Sequence, residues 1–285
     1  MFERLLRHGH RGALEYNFTS NFIWREIYKL QFSQFQGNLI IMSNEEEPTF
    51  IFPSGVQDVT PIVRAIYDHV SARKQKLVFN TLLEEDRVKL AAAFPGKFLI
   101  EPIRDAYDYL YEADRLITLT GKKLSAKRNH INRFKAMNTD WSYENITPDN
   151  IDEAHEMSLI WCKLAGCTEN ADLFDESCAV EQAFNHFFDL GLTGGILRAD
   201  GKIIAFAMGQ PLNENTYLIH IEKAFHDIQG AYQLINQQFA EANCKDFQYI
   251  NREDDAGDEG LRRAKLSYYP ADLVVKYKAT LLTTL

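Results

Sequence analysis

The sequence predicts a mixed α/β (α+β) protein built in two halves, and three observations carry that reading. The chain has 285 residues, which at about 150 residues per domain points to two domains. Short apolar runs of strand length alternate with segments of helical period along its whole length. The strands come as meanders set off by tight turns, with helices between them. Each half then holds a mixed, mainly antiparallel sheet flanked by helices, not a doubly wound parallel one. The two halves share a rough order of helices and meander, then a helix, then a strand, without a direct sequence repeat.

The elements of the first half follow in order. Residues 25–53 read as a strand meander: Leu39-Ile40-Ile41-Met42 follows the turn Gln36-Gly37-Asn38, and Thr49-Phe50-Ile51-Phe52 follows a second turn at 44–48. Asp58 can cap a helix over 59–73, with Pro61 tolerated in its first turn. Its core face is Ile62, Val63, Ile66 and Val70. Leu77-Val78-Phe79 is a strand, 83–93 a helix ended by Phe94-Pro95-Gly96, and Phe98-Leu99-Ile100 another strand. Residues 107–119 read as β-rich with a turn at Glu112-Ala113-Asp114, and Gly121 opens a basic helix to about Met137. A break at Asn138-Thr139-Asp140 places the domain boundary, giving 1–137 and 138–285.

In the second half, Trp141–Glu144 starts a strand, and Thr147-Pro148-Asp149 caps a helix to about Leu164. A helix over about 175–190 precedes three strands at 194–199, 202–210 and 215–223. A helix at about 230–242, a strand at 247–251, a short helix at 257–265 and a last strand at 272–277 complete the chain.

Composition excludes several classes. Hydrophobic residues are 46% and charged residues 25% of the chain, so apolar burial can offset the entropy of ordering and a disordered chain is excluded. The net charge of −9 makes a uniformly charged nucleic-acid binder a poor fit, because phosphate contacts dominate that affinity. No run of 18 apolar residues exists to span a bilayer, and Met1–His8 has no apolar core of a signal peptide. Cys162, Cys167, Cys178 and Cys244 form no Cys-x-x-Cys pair. They read as reduced thiols of a cytoplasmic protein that binds no metal.

Three segments can carry chemistry. Residues 121–135 hold six Lys or Arg and no acid, with Leu124, Ile131 and Phe134 as an apolar stripe and Arg128 at its edge. Such a face either binds a phosphate or other anion, or is simply solvated. In 215–242, a strand ending at Glu222 leads through a turn to Gly230-Ala231 at a helix start. Backbone N–H groups there can approach a pyrophosphate, or the pair is plain turn chemistry. Glu222 can serve as a general base if burial raises its pKa, or it is a surface residue. His220 shares its strand parity, and a lone strand histidine is not read as a ligand. In 251–270, five acids between 253 and 259 precede three bases between 262 and 265. That order complements the helix dipole, or it builds a polar site in which Tyr268 protonates a leaving group.

Taken together, Gly121-Lys122-Lys123-Leu124-Ser125 through Phe134, Gln229-Gly230-Ala231-Tyr232 through Asn236, and Asn251-Arg252-Glu253-Asp254 through Tyr268 resemble three hallmarks of the phosphatidylglycerol lysyltransferase C-terminal-domain family. The basic helix is more distantly similar to the Lys-Lys-x-Arg pattern of the Fem peptidyltransferases. The resemblance implies two tandem acetyltransferase-like (GNAT) folds. The family's best-understood relatives move an aminoacyl group from aminoacyl-tRNA to a lipid head group and carry a membrane domain ahead of the similar part. This sequence contains no such domain, which leaves the acceptor open.

The expected function is therefore transfer of an activated acyl or aminoacyl group to an amine or hydroxyl, without a covalent enzyme intermediate. The donor would be acyl-CoA or aminoacyl-tRNA and the acceptor a small molecule, with peripheral membrane contact allowed. Glu222 or Asp255 would take the acceptor proton, and Tyr268 or Lys265 would neutralise the leaving group. Gln229, Gly230, Ala231 and Tyr232 would hold the donor phosphate. The usual GNAT loop pattern is altered here, its positions reading His226, Gln229 and Ala231 with Gly230 between. Lys122, Lys123, Arg128, Asn129, Asn132, Arg252, Glu253 and Arg262 would contact anionic substrate. The alternatives are a non-catalytic ligand-binding or sensor protein that keeps the fold, and a direct tRNA binder.

Overall fold

The structure, a computed structural model, describes residues 12–53 and 58–285. The signal-peptide reading of Met1–His8 falls outside them. After a 3-10 turn at Leu14–Tyr16 come α1 (Phe18–Ile23), β1 (Leu30–Phe35), β2 (Asn38–Ser43), β3 (Thr49–Ile51) and α2 (Thr60–Ser71). Then follow β4 (Val78–Leu82), α3 (Glu84–Ala93), β5 (Phe98–Pro102), β6 (Asp108–Glu112), α4 (Ala113–Thr118) and α5 (Ser125–Met137). The chain continues through β7 (Ser142–Asn145), α6 (Ile151–Ala165), α7 (Ala171–Asn185), β8 (Thr193–Ala199), β9 (Lys202–Pro211) and β10 (Thr216–Ala224). It closes with α8 (Ala231–Asn243), β11 (Tyr249–Asn251), α9 (Glu259–Leu266), β12 (Asp272–Val274) and β13 (Tyr277–Leu281).

These strands make two mixed sheets, ordered β1-β2-β3-β4-β13-β5 and β12-β6-β11-β10-β9-β8-β7. Each contains a parallel pair, β3 with β4 and β10 with β11, among antiparallel neighbours. The α/β class expected from the meanders is the class observed. The chain divides into two compact units. One takes the chain to Asp108 together with Asp254–Arg262 and Leu273–Leu285; the other is Tyr109–Glu253 with Arg263–Asp272. The expected division fell at 137/138 instead, because composition along the chain does not register that C-terminal segments return to the first unit.

The first unit's core is where periodicity placed it. Ile62, Val63, Ile66 and Val70 of α2 are buried with Phe50, Phe52 and Phe79. The Phe52 and Phe79 rings meet edge-on at 5.0 Å. Helix α2 starts at Thr60 with Val59 at its N-cap, so Asp58 lies one residue before the expected capping position. It still accepts the Thr60 N–H at 2.9 Å, and that bond holds its carboxyl below the usual range.

Three local readings are corrected. Residues 113–118 form helix α4, not strand. Leu116 is buried, and the carbonyls that a helix end leaves orphaned find long-range donors: Gln237 Nε2 donates to Ile117 O at 2.9 Å, and Arg128 Nη1 to Leu119 O. The last segment is two strands, β12 and β13, in different sheets. Cys162 and Cys167 are joined as a disulfide, not reduced thiols. Gly166, at φ +74°, ends α6 and turns the chain back, so the two Cα atoms lie 5.3 Å apart.

Between β12 and β13 lies Lys276, fully buried in the first unit. Its Nζ donates to Asp108 Oδ1 at 2.5 Å and to Glu15 Oε1 at 2.8 Å. One cation thus serves two carboxylates. Burial pushes the Glu15 carboxyl up to about 7, against the pull of Lys276 and with a push from Asp108. A carboxyl raised in the folded state stabilises below its unfolded value and loses that contribution as pH rises through the folded one. Stability is therefore expected to fall between about pH 4.5 and pH 7. Urea unfolding of wild type and Glu15→Gln across that range checks this, the variant giving the shallower slope.

Candidate functional site

The polar cluster of the second unit forms where two strands part. β10 pairs with β11 only from Thr216–Leu218 against Tyr249–Asn251, then runs on to Ala224 without that neighbour. Against β9, the register of β10 shifts between Ile219 and Ile221, which makes His220 the bulged residue. Past the split, Glu222 of β10 meets Arg252, which directly follows β11. Arg252 Nη2 donates to Glu222 Oε1 at 2.9 Å, and Asn236 Nδ2 of α8 donates to Oε2 at 2.9 Å. The ion pair is nearly buried, with side chains 12% and 11% exposed. Both Glu222 oxygens thus accept hydrogen bonds, one charge-assisted from Arg252 and one from the Asn236 amide.

An aromatic and cationic shell surrounds this pair. The Arg252 guanidinium lies 5.0 Å from the centre of the Tyr268 ring, and Lys127 Nζ lies 4.1 Å from the same ring. Tyr111 meets Tyr268 edge-on at 6.5 Å and donates through its hydroxyl to Lys265 O at 2.8 Å. Lys265 Nζ in turn donates to Arg252 O at 2.6 Å. Burial drives the Tyr111 and Tyr268 hydroxyls far above the ordinary phenol range. Burial and the neighbouring Arg252 charge lower the Lys127 ammonium, which also donates to Ser267 Oγ at 2.6 Å. Three cations converge here in a low-dielectric setting, and Glu222 holds one of them. Cations held in place in such a setting can stabilise negative charge on a group brought against them. Asn236 Oδ1, Arg252 Nη1 and His220 Nε2 are buried without a hydrogen bond among the described residues, and such atoms call for a ligand or water partner.

Of the residues expected from sequence, the structure brings Glu222, Arg252, Lys265 and Tyr268 into this cluster, with Glu253 beside it. Asp255 and Arg262 belong to the first unit. There Asp255, fully buried, accepts from Arg262 at 2.7 and 3.0 Å, from Arg104 at 3.2 Å and from the Gly257 N–H. Arg262 also reaches Asp105 at 2.6 Å. This is a clamp on a loop, with no carboxylate oxygen left to act as a base. Arg128 donates to Leu119 O and Gly121 O, so its guanidinium closes the end of α4. Lys122, Lys123, Asn129 and Asn132 are exposed.

Gly230 begins α8 at φ +94°, where a Cβ would come within 2.6 Å of His130 O and 2.9 Å of Phe134 Cβ. Close packing of α5 on α8 is what requires glycine there. Ala231 N donates to Ile228 O, Gln229 reaches the His130 ring at 3.5 Å, and Tyr232 is half-buried, its hydroxyl pushed up to about 12 by burial. Gly230→Ala is accordingly expected to cost about 1–3 kcal/mol through strain and overpacking, read as a lowered Tm.

Sequence reasoning missed Lys127, Tyr111 and Asn236. Lys127 had a signal: it falls three residues after Leu124 and four before Ile131, inside the apolar stripe. A cation at a core-facing position is costly unless it has partners. Among the described residues, no helix is long and apolar enough to cross a membrane, and no three His, Cys, Asp or Glu side chains are grouped to hold a metal.

Known proteins resemble this chain along most of its length. A family described as phosphatidylglycerol lysyltransferase, C-terminal, matches residues 6–280. A crystal structure of a conserved protein of unknown function from Bacteroides thetaiotaomicron is 37% identical, covers 98% of this chain and 95% of that one, and has a TM-score of 0.93. The structure of L-PGS from Bacillus licheniformis is 18% identical over 98% of this chain and 90% of that one, with a TM-score of 0.63, and shares the fold. An uncharacterized protein of Mycoplasmoides gallisepticum is 27% identical over 185 residues, 64% of this chain. The match spans 59% of that relative's length.

Proposed function

The chain belongs to the phosphatidylglycerol lysyltransferase C-terminal family, and from that premise we propose that it is an acyltransferase moving an activated acyl or aminoacyl group from aminoacyl-tRNA or acyl-CoA to an amine or hydroxyl. Its two mixed α/β sheets are of the fold shared with the L-PGS structure, and the family resemblance implies a tandem GNAT-like arrangement. The observation that carries the proposal is the buried Glu222–Arg252 pair at the parting of β10 and β11, ringed by Lys127, Lys265 and Tyr268.

The proposed mechanism is direct attack. The acceptor nitrogen or oxygen attacks the donor carbonyl, and the ester or thioester bond breaks without a covalent enzyme intermediate. Arg252 and Lys127 face the charge that develops, and their fixed positions mean no reorganisation is needed as it forms. Glu222 orients Arg252, since both of its oxygens already accept hydrogen bonds. Lys265 secures the same arginine through its backbone carbonyl.

Thermal shift against CoA, acetyl-CoA, and charged and uncharged tRNA tests the donor class. A ligand at 100 times its Kd stabilises by about 2.7 kcal/mol. Transfer of radiolabelled acyl or aminoacyl group to an added amine then tests turnover. A shift with labelled product supports the proposal. A shift without any product moves the protein to the non-catalytic ligand-binding reading, and silence from every donor removes the acyl-transfer reading.

A further inference from the structure

We propose that His220, held by Glu253, is the catalytic residue that accepts the proton of the attacking group; this rests on the transferase reading above. Direct attack by an amine or hydroxyl releases a proton, and the cluster's carboxylates are poorly placed to take it. Glu222 has both oxygens committed, one to Arg252 and one to Asn236. His220 is differently equipped. Its side chain is 1% exposed, its Nδ1 lies 3.0 Å from Glu253 Oε1, and its Nε2 is buried without a hydrogen bond among the described residues.

The surroundings are built to keep that arrangement. His220 is the bulged residue of β10, just past the last pairing with β11, and a bulge re-aims a side chain. Glu253 sits at φ +56°, a left-handed conformation that is uncommon for glutamate. Asn251 Oδ1 accepts the Glu253 N–H at 2.7 Å, and Glu253 O accepts from Tyr109 N at 3.1 Å. These backbone bonds fix the Glu253 backbone and so the point from which its carboxylate reaches Nδ1. A carboxylate on Nδ1 holds the ring N–H there and leaves the lone pair on Nε2. It also stabilises the imidazolium once Nε2 is protonated.

The acceptor's nitrogen or oxygen forms a bond to the donor carbonyl carbon, and its proton passes to His220 Nε2. The C–O bond of an aminoacyl ester, or the C–S bond of a thioester, then breaks. The same proton moves from the imidazolium to the departing oxygen or sulfur. No oxidant, metal or further reactant enters.

The test uses the full chain, with lysyl-tRNA, alanyl-tRNA and acetyl-CoA as donor probes and glycinamide as the amine. Wild type is expected to form labelled amide from one of these donors. His220→Gln is expected to lower kcat by 100-fold or more, with the donor KM within about threefold, in the range for loss of a general base. Glu253→Gln lowers kcat less. If wild type transfers and His220→Gln keeps its kcat within threefold, the histidine assignment falls and the transferase reading stands. If wild type transfers from none of the donors, both fall. Should His220→Gln fail to fold, nitrogen NMR of histidine-labelled wild type decides. An unprotonated Nε2 with N–H on Nδ1 supports the assignment, and a proton on Nε2 overturns it.

Discussion

Replacing Lys276 with methionine is expected to lower unfolding stability by about 3–5 kcal/mol, the usual cost of stripping one partner from a buried pair. Lys276 is fully buried, and its ammonium is the cation bonded to both Asp108 and Glu15. Asp108 also accepts the Leu14 N–H at 2.9 Å, which ties the 3-10 turn at Leu14–Tyr16 to the same group. Methionine fills similar volume, so little of the loss would be a cavity. What remains is two buried acidic groups that have lost the ammonium they share. Urea denaturation of wild type, Lys276→Met, and Lys276→Met combined with Glu15→Gln and Asp108→Asn measures it. The combined variant should recover much of the loss, because removing all the charges together leaves no uncompensated one. A single variant that loses under 1 kcal/mol would refute this account.

Arg252→Met is expected to lower kcat/KM by at least 100-fold, equivalent to about 2.7 kcal/mol of lost transition-state stabilisation. The arginine pairs with Glu222, packs on Tyr268 and receives Lys265 on its carbonyl. Its removal takes away the cation placed against developing charge and strands a nearly buried Glu222. Glu222→Gln should cost less, since a glutamine keeps the bond from Arg252 while giving up the charge. A double-mutant cycle with both changes isolates the pair. The double variant should lose much less than the sum of the singles, because contacting residues couple. Additive losses would show that the two act separately. Stability of each variant, measured in parallel, separates lost chemistry from lost folding.

Much of the fold was legible because it rests on local rules. The α2 face repeats at 3.6 residues, the Gln36-Gly37 turn carries the positive φ angles that a tight hairpin needs, and Asp58, just ahead of the helix, reaches the free Thr60 N–H. The errors share a cause. Residues 113–118 read as strand from Leu116 and Ile117, yet fold as helix because donors more than a hundred residues away in Gln237, and nine away in Arg128, close its end. The cysteine spacing looked ordinary, and only the left-handed Gly166 brings the two together.

The candidate site divides the same way. The sequence by itself determined the two-part α/β architecture, the family motifs, and the chemistry available in Glu222, Arg252, Lys265 and Tyr268. These are matters of period, residue type and order along the chain. Only the tertiary structure decided which of those groups meet. It set Asp255 and Arg262 in a clamp of the first unit, turned Arg128 onto backbone carbonyls, brought Lys127 and Asn236 into the cluster, and paired a bulged His220 with Glu253. Charge and basicity follow from burial and partners, and those are fixed by contacts between residues far apart in sequence.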